Sequence, residues 1–191
     1  MRIVLLGAPG SGKGTQAVRL VEKLQQPHIS TGDLLRSAVE AGTELGRKAK
    51  MVIDRGELVS DDIMLGLIKQ RLSSDDAKNG FILDGYPRNI TQAKALDEIL
   101  ARQGQAMVEV LHIDVDADVL MQRIAGRAAE EGRSDDCEEV VRNRLRVYAE
   151  QTAPLVEFYA GKGILSRVLG EGTAEEVFQR IMSVLLLHAE S

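Results

Sequence analysis

Short apolar runs alternate with longer stretches of helical periodicity along this chain. The runs are rich in leucine and β-branched residues, and the one at 28–30 is the weakest because it is so short. Continuous apolar strands separated by helical segments are typical of parallel sheets covered on both faces. The pattern therefore predicts an α/β fold, a parallel sheet flanked by helices. Its five predicted strands cover residues 2–6, 28–30, 81–83, 108–113 and 164–169.

Helical periodicity fills most of the chain between these strands. Pro154 interrupts the fifth predicted helix, and we expect a kink or a break there because proline has no backbone N–H to donate. Thr173 and Glu176 have the spacing of a capping box at the start of the last helix. The predicted helices cover residues 13–24, 61–72, 90–103, 118–125, 138–160 and 174–189.

Two segments do not follow this alternation. Residues 31–59 are mostly helical in pattern but are broken by Gly42 and Gly56, and residues 126–136 are short, charged and without apolar anchors. We interpret both as mobile insertions. The rest of the chain reads as one domain, because no internal repeat, low-complexity tract or linker divides it.

The composition limits the class of protein. With 191 residues, of which 44% are hydrophobic and 28% charged, the chain can bury the core of one globular domain. Its formal net charge is −5, and only 3% of its residues are aromatic, none of them tryptophan. Nucleic-acid surfaces need basic residues and usually stacking rings, so we expect no nucleic-acid partner.

Cysteine content and hydropathy bear on the compartment. Cys137 is the single cysteine, so the chain can form no internal disulfide and no thiolate cluster for a metal. The apolar runs at residues 3–6 and 181–189 are too short for a signal-peptide core or a membrane span. We expect a soluble, cytoplasmic protein with no membrane partner.

A glycine-rich loop lies between the first predicted strand and the first predicted helix. Its sequence, GAPGSGKGT at residues 7–15, has the Gly-x4-Gly-Lys spacing of the P-loop, whose backbone N–H groups, lysine and helix N-terminus surround phosphates. Gly14 stands where most P-loops place Ser or Thr for magnesium, and Thr15 comes one residue late. The alternative is a glycine-rich turn without a ligand, but the flanking strand and helix favour a polyphosphate site.

Extended to GAPGSGKGTQ at residues 7–16, the loop resembles that of the adenylate kinase family of nucleoside monophosphate kinases. The resemblance continues in HISTGDLLR at 28–36, GELVSDD at 56–62, GFILDGYPRN at 80–89 and GRSDDCEE at 132–139, and it covers essentially the whole chain. It implies a P-loop NTPase-type fold. It also implies reversible transfer of the γ-phosphoryl group of ATP to AMP, giving two ADP, with Mg2+.

The resemblance further implies how the single P-loop kinase domain, residues 1–191, is divided. The core would comprise residues 1–29, 60–125 and 137–191, with a nucleoside monophosphate-binding insertion at 30–59 and a short lid at 126–136. Longer family members hold zinc in the lid with four cysteines, and Cys137 is alone here, so we expect no structural zinc. The implied partners are the small-molecule substrates ATP, AMP and ADP, and we expect a monomer.

The site residues also follow from the resemblance. Phosphoryl transfer would depend on the cationic side chains Lys13, Arg88, Arg123, Arg127, Arg133 and Arg144. ATP would be bound by Gly10, Ser11, Gly12, Lys13, Gly14, Thr15, Arg123, Arg127 and Gly172. AMP would be bound by Thr31, Arg36, Glu57, Leu58, Val59, Gly85, Tyr86, Pro87, Arg88, Gln92, Arg133 and Arg144.

Asp84 is the candidate for the metal. It follows the strand at 81–83, at the sheet edge where ligands of parallel folds bind, and the resemblance implies that it holds Mg2+ through water. That role fits the missing hydroxyl at position 14. The alternative is a strand-end aspartate that caps the next turn.

The chemistry of the residues supports the same reaction. The nucleophile would be an ionised phosphate oxygen of AMP, so no general base is required. Transfer does need cationic donors around the phosphoryl group, and arginine binds phosphate oxygens in pairs and stays ionised.

Each candidate also has a plainer interpretation. A single arginine is usually solvated or in a surface ion pair, and Arg142 and Arg146 keep that interpretation. Asp33 has a sufficient structural reason to be near a helix N-terminus. Gln92 can offer a donor and an acceptor to adenine, but with Asn89 it also reads as a helix cap.

Three other functions stay open from the sequence. The nearest is a UMP/CMP-type kinase, against which Thr31 and Gln92 favour AMP. A nucleotide-dependent switch would not need the second set of phosphate-binding arginines. A nucleic-acid-associated ATPase is disfavoured by the acidic balance and the few aromatic rings.

Overall fold

The carboxyl ends of parallel strands form the edge at which the candidate residues lie. The computed structural model describes residues 1–107, 109–131 and 138–189, without the side chains of 127–131, 188 and 189. In this part of the chain five strands form one parallel sheet in the order β2-β3-β1-β4-β5. The strands are β1 (Arg2–Leu6), β2 (His28–Ser30), β3 (Phe81–Asp84), β4 (Glu109–Asp114) and β5 (Leu165–Leu169).

Helices cover both faces of this sheet, as the sequence predicts. The described helices are α1 (Lys13–Leu24), α2 (Thr31–Glu40), α3 (Glu44–Ile53), α4 (Asp61–Leu72), α5 (Ile90–Arg102), α6 (Ala117–Glu131), α7 (Glu138–Val147), α8 (Pro154–Gly161) and α9 (Ala174–Ala189). A 3-10 turn at Asp75–Ala77 precedes β3, and a π-helical turn at Tyr148–Thr152 joins α7 to α8.

The central strand β1 is buried on both faces, which explains its unbroken apolar sequence. Ile3 and Leu5 face a core cluster that includes side chains of α1 and α9. Val4 and Leu6 face the opposite cluster, to which α4, α5 and α8 contribute. The sheet is therefore held between two apolar layers, and its carboxyl edge is left for the polar residues of the loops.

Local signals at helix ends are confirmed where they are strong. Thr173 Oγ1 accepts from the backbone N–H of Glu176 at 3.2 Å, and Glu176 Oε2 accepts from the Thr173 N–H at 2.7 Å, which is the predicted capping box. The breaks at Gly42 and Gly56 are also observed, with φ of 63° and 69° after α2 and α3. No described helix is long and apolar enough to cross a membrane.

One helix is longer than predicted, and another is interrupted where the sequence predicts an interruption. The helix expected at residues 118–125 extends to Glu131, because the alanines and glutamates after Gly126 are strong helix formers. It therefore enters the segment predicted as a mobile lid at 126–136, whose residues 132–136 lie outside the described residues together with Cys137. The helix expected at 138–160 is interrupted just before Pro154, as predicted: the Ala153 N–H donates to the Tyr148 carbonyl in π-helical geometry.

Candidate active site

The glycine-rich loop forms an anion cradle at the carboxyl end of β1. Gly10 has φ of 83°, and a Cβ there would lie 2.7 Å from Cγ1 of Ile124, so only glycine fits. The Lys13 ammonium donates to the carbonyl oxygens of Gly7 at 2.9 Å and Ala8 at 3.0 Å. Since α1 begins at Lys13, the positive end of the helix and an ammonium group meet at this loop.

An open cleft extends from this loop across the sheet edge. On its rim, Arg123 donates through Nη2 to the Gly170 carbonyl at 2.9 Å. The side chain of Arg127, also predicted here, lies outside the described residues. Of the residues predicted to bind ATP, the following line the cleft: Gly10, Ser11, Gly12, Lys13, Gly14, Thr15, Arg123 and Gly172.

Asp84 is the last residue of β3 and lines the same cleft. Burial by itself would raise the pKa of its carboxyl group, but the nearby imidazole of His28 and the charge of Lys13 oppose this effect. Together with Arg88 they hold the pKa of Asp84 below its ordinary value, so the group is a carboxylate at neutral pH.

The donor set around Asp84 suits one kind of metal site. Among the described residues, no three His, Cys, Asp or Glu side chains are grouped so that they could hold a metal ion. The carboxylate of Asp84, whose side chain is 14% exposed beside the phosphate cradle, fits Mg2+, which keeps several waters and takes other ligands from substrate phosphates.

A second, smaller cavity lies beside the cleft. Tyr86, predicted to line it, is instead 1% exposed in the core, where burial raises its pKa to about 12 and its hydroxyl donates to the Gln92 carbonyl. Pro87 lines the larger cleft, and Arg133 lies outside the described residues. Of the residues predicted to bind AMP, the following line the smaller cavity: Thr31, Arg36, Glu57, Leu58, Val59, Gly85, Arg88, Gln92 and Arg144.

Arginines from three separate elements line both the cleft and the cavity. They are Arg36 of α2, Arg88 before α5 and Arg144 of α7. Arg36 forms an ion pair with Asp33, and Arg88 Nε donates to the Gly85 carbonyl at 2.9 Å. The chain thus brings cations from three distant positions to the junction of its two cavities.

Gln92 takes part in the predicted helix cap and also lines the smaller cavity. Its backbone N–H donates to Asn89 Oδ1 at 2.8 Å, which caps α5 as predicted. Its side chain is 2% exposed and lines the smaller cavity. The capping bond involves only the backbone of Gln92, so it does not occupy the side-chain amide.

Arg142 and Arg146 are placed as their plainer interpretation expects. Both side chains are exposed on α7. Arg142 pairs with Glu138 at 2.7 Å, and Arg146 donates to Asn143 Oδ1 at 2.7 Å. Neither residue lines the cleft or the cavity. The two neighbouring arginines of α7 therefore contrast with Arg144.

Sequence reasoning missed several residues at the site. His28 Nε2 lies 3.8 Å from Asp84 Oδ2, and Tyr148 and Thr152 line the larger cleft. Tyr148 Oη lies 3.3 Å from Nε2 of His112, whose pKa is lowered by burial. The pairing of β2 with β3 places His28 near Asp84, but the periodicity of the sequence does not predict which strands are neighbours.

The sequence of this chain is similar to proteins of one family. A family model described as Adenylate kinase matches residues 5–164. A protein named Adenylate kinase from Stenotrophomonas maltophilia (strain K279a) is 58% identical over 185 residues, which cover 97% of this chain and 99% of that protein. Proteins of the same name from Xylella fastidiosa (strain 9a5c) and Xanthomonas campestris pv. campestris (strain 8004) are 58% and 57% identical with the same coverage.

Proposed function

This chain belongs to the adenylate kinase family and is a phosphotransferase, and we propose that its cleft binds ATP and its smaller cavity binds AMP. Transfer of the γ-phosphoryl group then gives two ADP, and the reaction is reversible. The observation that carries this assignment is the set of arginines that line both cavities, Arg36, Arg88 and Arg144. A phosphate from each nucleotide would meet there.

The residues act by binding and electrostatics rather than by proton transfer. An AMP phosphate oxygen is already ionised, so it attacks without a base once it is aligned with the γ-phosphorus. Lys13 and the N-terminus of α1 neutralise the donor phosphates, and Arg123 holds them at the rim of the cleft. Arg88 and Arg144 stabilise the charge on the transferring group. The family resemblance implies the same role for Arg127 and Arg133.

Asp84 would hold Mg2+ through water, as its lowered pKa and its place beside the phosphate cradle suggest. The ion, when bound with ATP, neutralises charge on the β- and γ-phosphates. For this chain the consequence is that Asp84 must stay ionised, and the positive charges of Lys13 and Arg88 favour that state.

An Asp84→Asn variant is expected to need more Mg2+ for half-maximal rate and to lose about 10–100-fold in activity, as loss of an outer ligand commonly does. Rates are measured against Mg2+ concentration at saturating ATP and AMP. Asp75→Asn, which removes an exposed carboxylate at the opposite edge of the sheet, is the control. An unchanged Mg2+ dependence in Asp84→Asn would remove this residue from the metal site.

The acceptor is tested by a coupled assay of ADP formation with ATP and each of AMP, UMP, CMP and GMP. We expect AMP to be preferred, and the family relationship does not favour the UMP/CMP-type alternative. Formation of ADP from ATP alone, or a preference for a pyrimidine monophosphate, would contradict the proposed function.

We further propose that residues 30–59 form the AMP-binding insertion and close over AMP. A Cβ at Gly46 of α3 would lie 1.9 Å from the Ala38 carbonyl of α2, so these two helices pack with their backbones in contact and can move as a unit. Closure would exclude water from the transferring phosphoryl group.

This closure predicts slower amide hydrogen exchange in α2 and α3 when an analogue that joins two adenosines through five phosphates is bound. Exchange is measured by mass spectrometry with and without the analogue. Amides of α9 on the opposite face of the sheet are the internal control. Equal exchange in α2 and α3 in both states would contradict closure.

Monomeric state and cytoplasmic location are part of the same proposal. The single cysteine, which can form no internal disulfide, supports a reducing compartment. Light scattering coupled to gel filtration tests the first, and a mass of two chains would contradict it.

A further inference from the structure

A carboxylate on a different helix contacts the amide of Gln92 in the smaller cavity. Asp61, the first residue of α4, accepts from Nε2 of Gln92 at 2.7 Å through its Oδ1. The same oxygen accepts from Nδ2 of Asn89 at 3.0 Å. We propose that Asp61 is a positioning residue that fixes the orientation of the Gln92 amide and thereby selects adenine over oxopurines as the acceptor base. This inference rests on the proposed AMP site.

The orientation of a glutamine amide is set by its neighbours, because rotation by half a turn exchanges its oxygen and nitrogen. A carboxylate can only accept, so Asp61 requires the nitrogen of Gln92 on its side. On the other side, the backbone N–H of Arg88 donates to Gln92 Oε1 at 2.7 Å and requires the oxygen. In a reversed amide the Gln92 oxygen would face the Asp61 carboxylate, and the Gln92 nitrogen would face the Arg88 N–H. Both hydrogen bonds would be lost at a side chain that is only 2% exposed.

These two bonds leave the amide with one N–H and one oxygen lone pair for a ligand. Adenine offers a ring acceptor at N1 beside an amino donor at position 6, which matches an amide of one orientation. Hypoxanthine and guanine offer a donor at N1 and an acceptor at position 6, so they need the reversed amide. With the phosphate held by arginines, the base cannot shift to compensate, and the fixed amide leaves mismatched groups in contact.

Asp62, the next residue of α4, provides a control that separates the positioning role of Asp61 from the general effect of a negative charge at a helix N-terminus. Asp62 also lies in the first turn of α4, where either negative charge favours the helix N-terminus. Its side chain is exposed, whereas that of Asp61 is partly buried against α5. Asp62→Asn therefore removes the same charge from the same turn without changing the surroundings of Gln92.

The test compares Asp61→Asn, Asp61→Glu and Asp62→Asn with the parent protein, using AMP and IMP as acceptors and ATP as donor. An asparagine can turn either its oxygen or its nitrogen to Gln92, so Asp61→Asn is expected to reduce the ratio of kcat/KM for AMP over IMP by about tenfold or more, the cost of one mispaired buried hydrogen bond. The effect should lie mainly in KM. Asp61→Glu, which still only accepts, should keep most of the preference, and Asp62→Asn should keep all of it.

Equal losses for AMP and IMP in Asp61→Asn would show a merely structural role and overturn the proposal. If Asp61→Asn does not fold, the same ratio is measured in Asp61→Ser, whose hydroxyl can accept or donate, with the same outcomes. A parent protein that phosphorylates neither AMP nor IMP would instead contradict the proposed function, and this inference with it.

Discussion

An Arg88→Ala variant is expected to lose about 10²–10³-fold in kcat, the effect of removing one preorganised donor to a developing charge. Contacts within the chain hold Arg88 before substrate arrives: its Nε donates to the Gly85 carbonyl at 2.9 Å, its backbone N–H donates to Gln92 Oε1 at 2.7 Å, and its own carbonyl accepts from Thr152 Oγ1 at 2.8 Å. Because its position at the junction of both cavities is already fixed, little reorganisation is needed during transfer. The KM for AMP should rise as well.

The rate is measured by the coupled ADP assay at saturating ATP over a range of AMP concentrations. Arg142→Ala is the matched control, since it removes an exposed arginine that pairs with Glu138 outside both cavities. We expect that variant to keep parental kinetics. Parental turnover in Arg88→Ala would exclude Arg88 from the transfer site, whatever the control shows.

A Lys13→Ala variant is expected to lose a similar factor, about 10²–10³-fold in kcat. Lys13 supplies a cation at the N-terminus of α1 and also holds the loop through the carbonyl oxygens of Gly7 and Ala8. Its removal lowers the positive potential and loosens the cradle together. The affinity for ATP should fall in parallel with the rate.

Lys23→Ala provides the control because it removes an exposed lysine from the last turn of the same helix. Thermal unfolding is measured for both variants, so that kinetic assays are run where each is folded. If folded Lys13→Ala binds ATP and turns over like the parent protein, the loop is not the phosphate site.

Much of the fold follows from local signals in the sequence. The bounds of β1, α1, α4 and α9 agree with prediction. For β1 the signal is an unbroken apolar run, and for α9 it is the capping box formed by Thr173 and Glu176. Strand order does not follow, since it depends on which apolar faces pack together over long distances along the chain. The extension of α6 past Gly126 shows that a glycine with helix-forming neighbours does not end a helix.

The residues of the candidate site also fall into two groups, those that sequence motifs predict and those that only contacts between elements show. Motif residues such as Lys13 and Arg88 were predictable because family resemblance fixes their spacing. His28 and Asp61 were not, because their importance arises from contacts across elements, with Asp84 at 3.8 Å and with Gln92 at 2.7 Å. The resemblance also implies that Tyr86 binds AMP, and its ring lies in the core, where burial among other elements is not evident from a motif.

The wide turn at Tyr148–Thr152 changes the helical phase between α7 and α8. An α-helix advances about 100° per residue, so one additional residue in a turn rotates all later side chains by that angle. Before the turn, Arg144 lines both cavities; after it, Leu155 and Tyr159 are fully buried. Since Leu155 and Tyr159 are fixed in the core, removal of one residue from this turn is expected to rotate α7 and turn Arg144 away from the two cavities while the sheet stays unaltered.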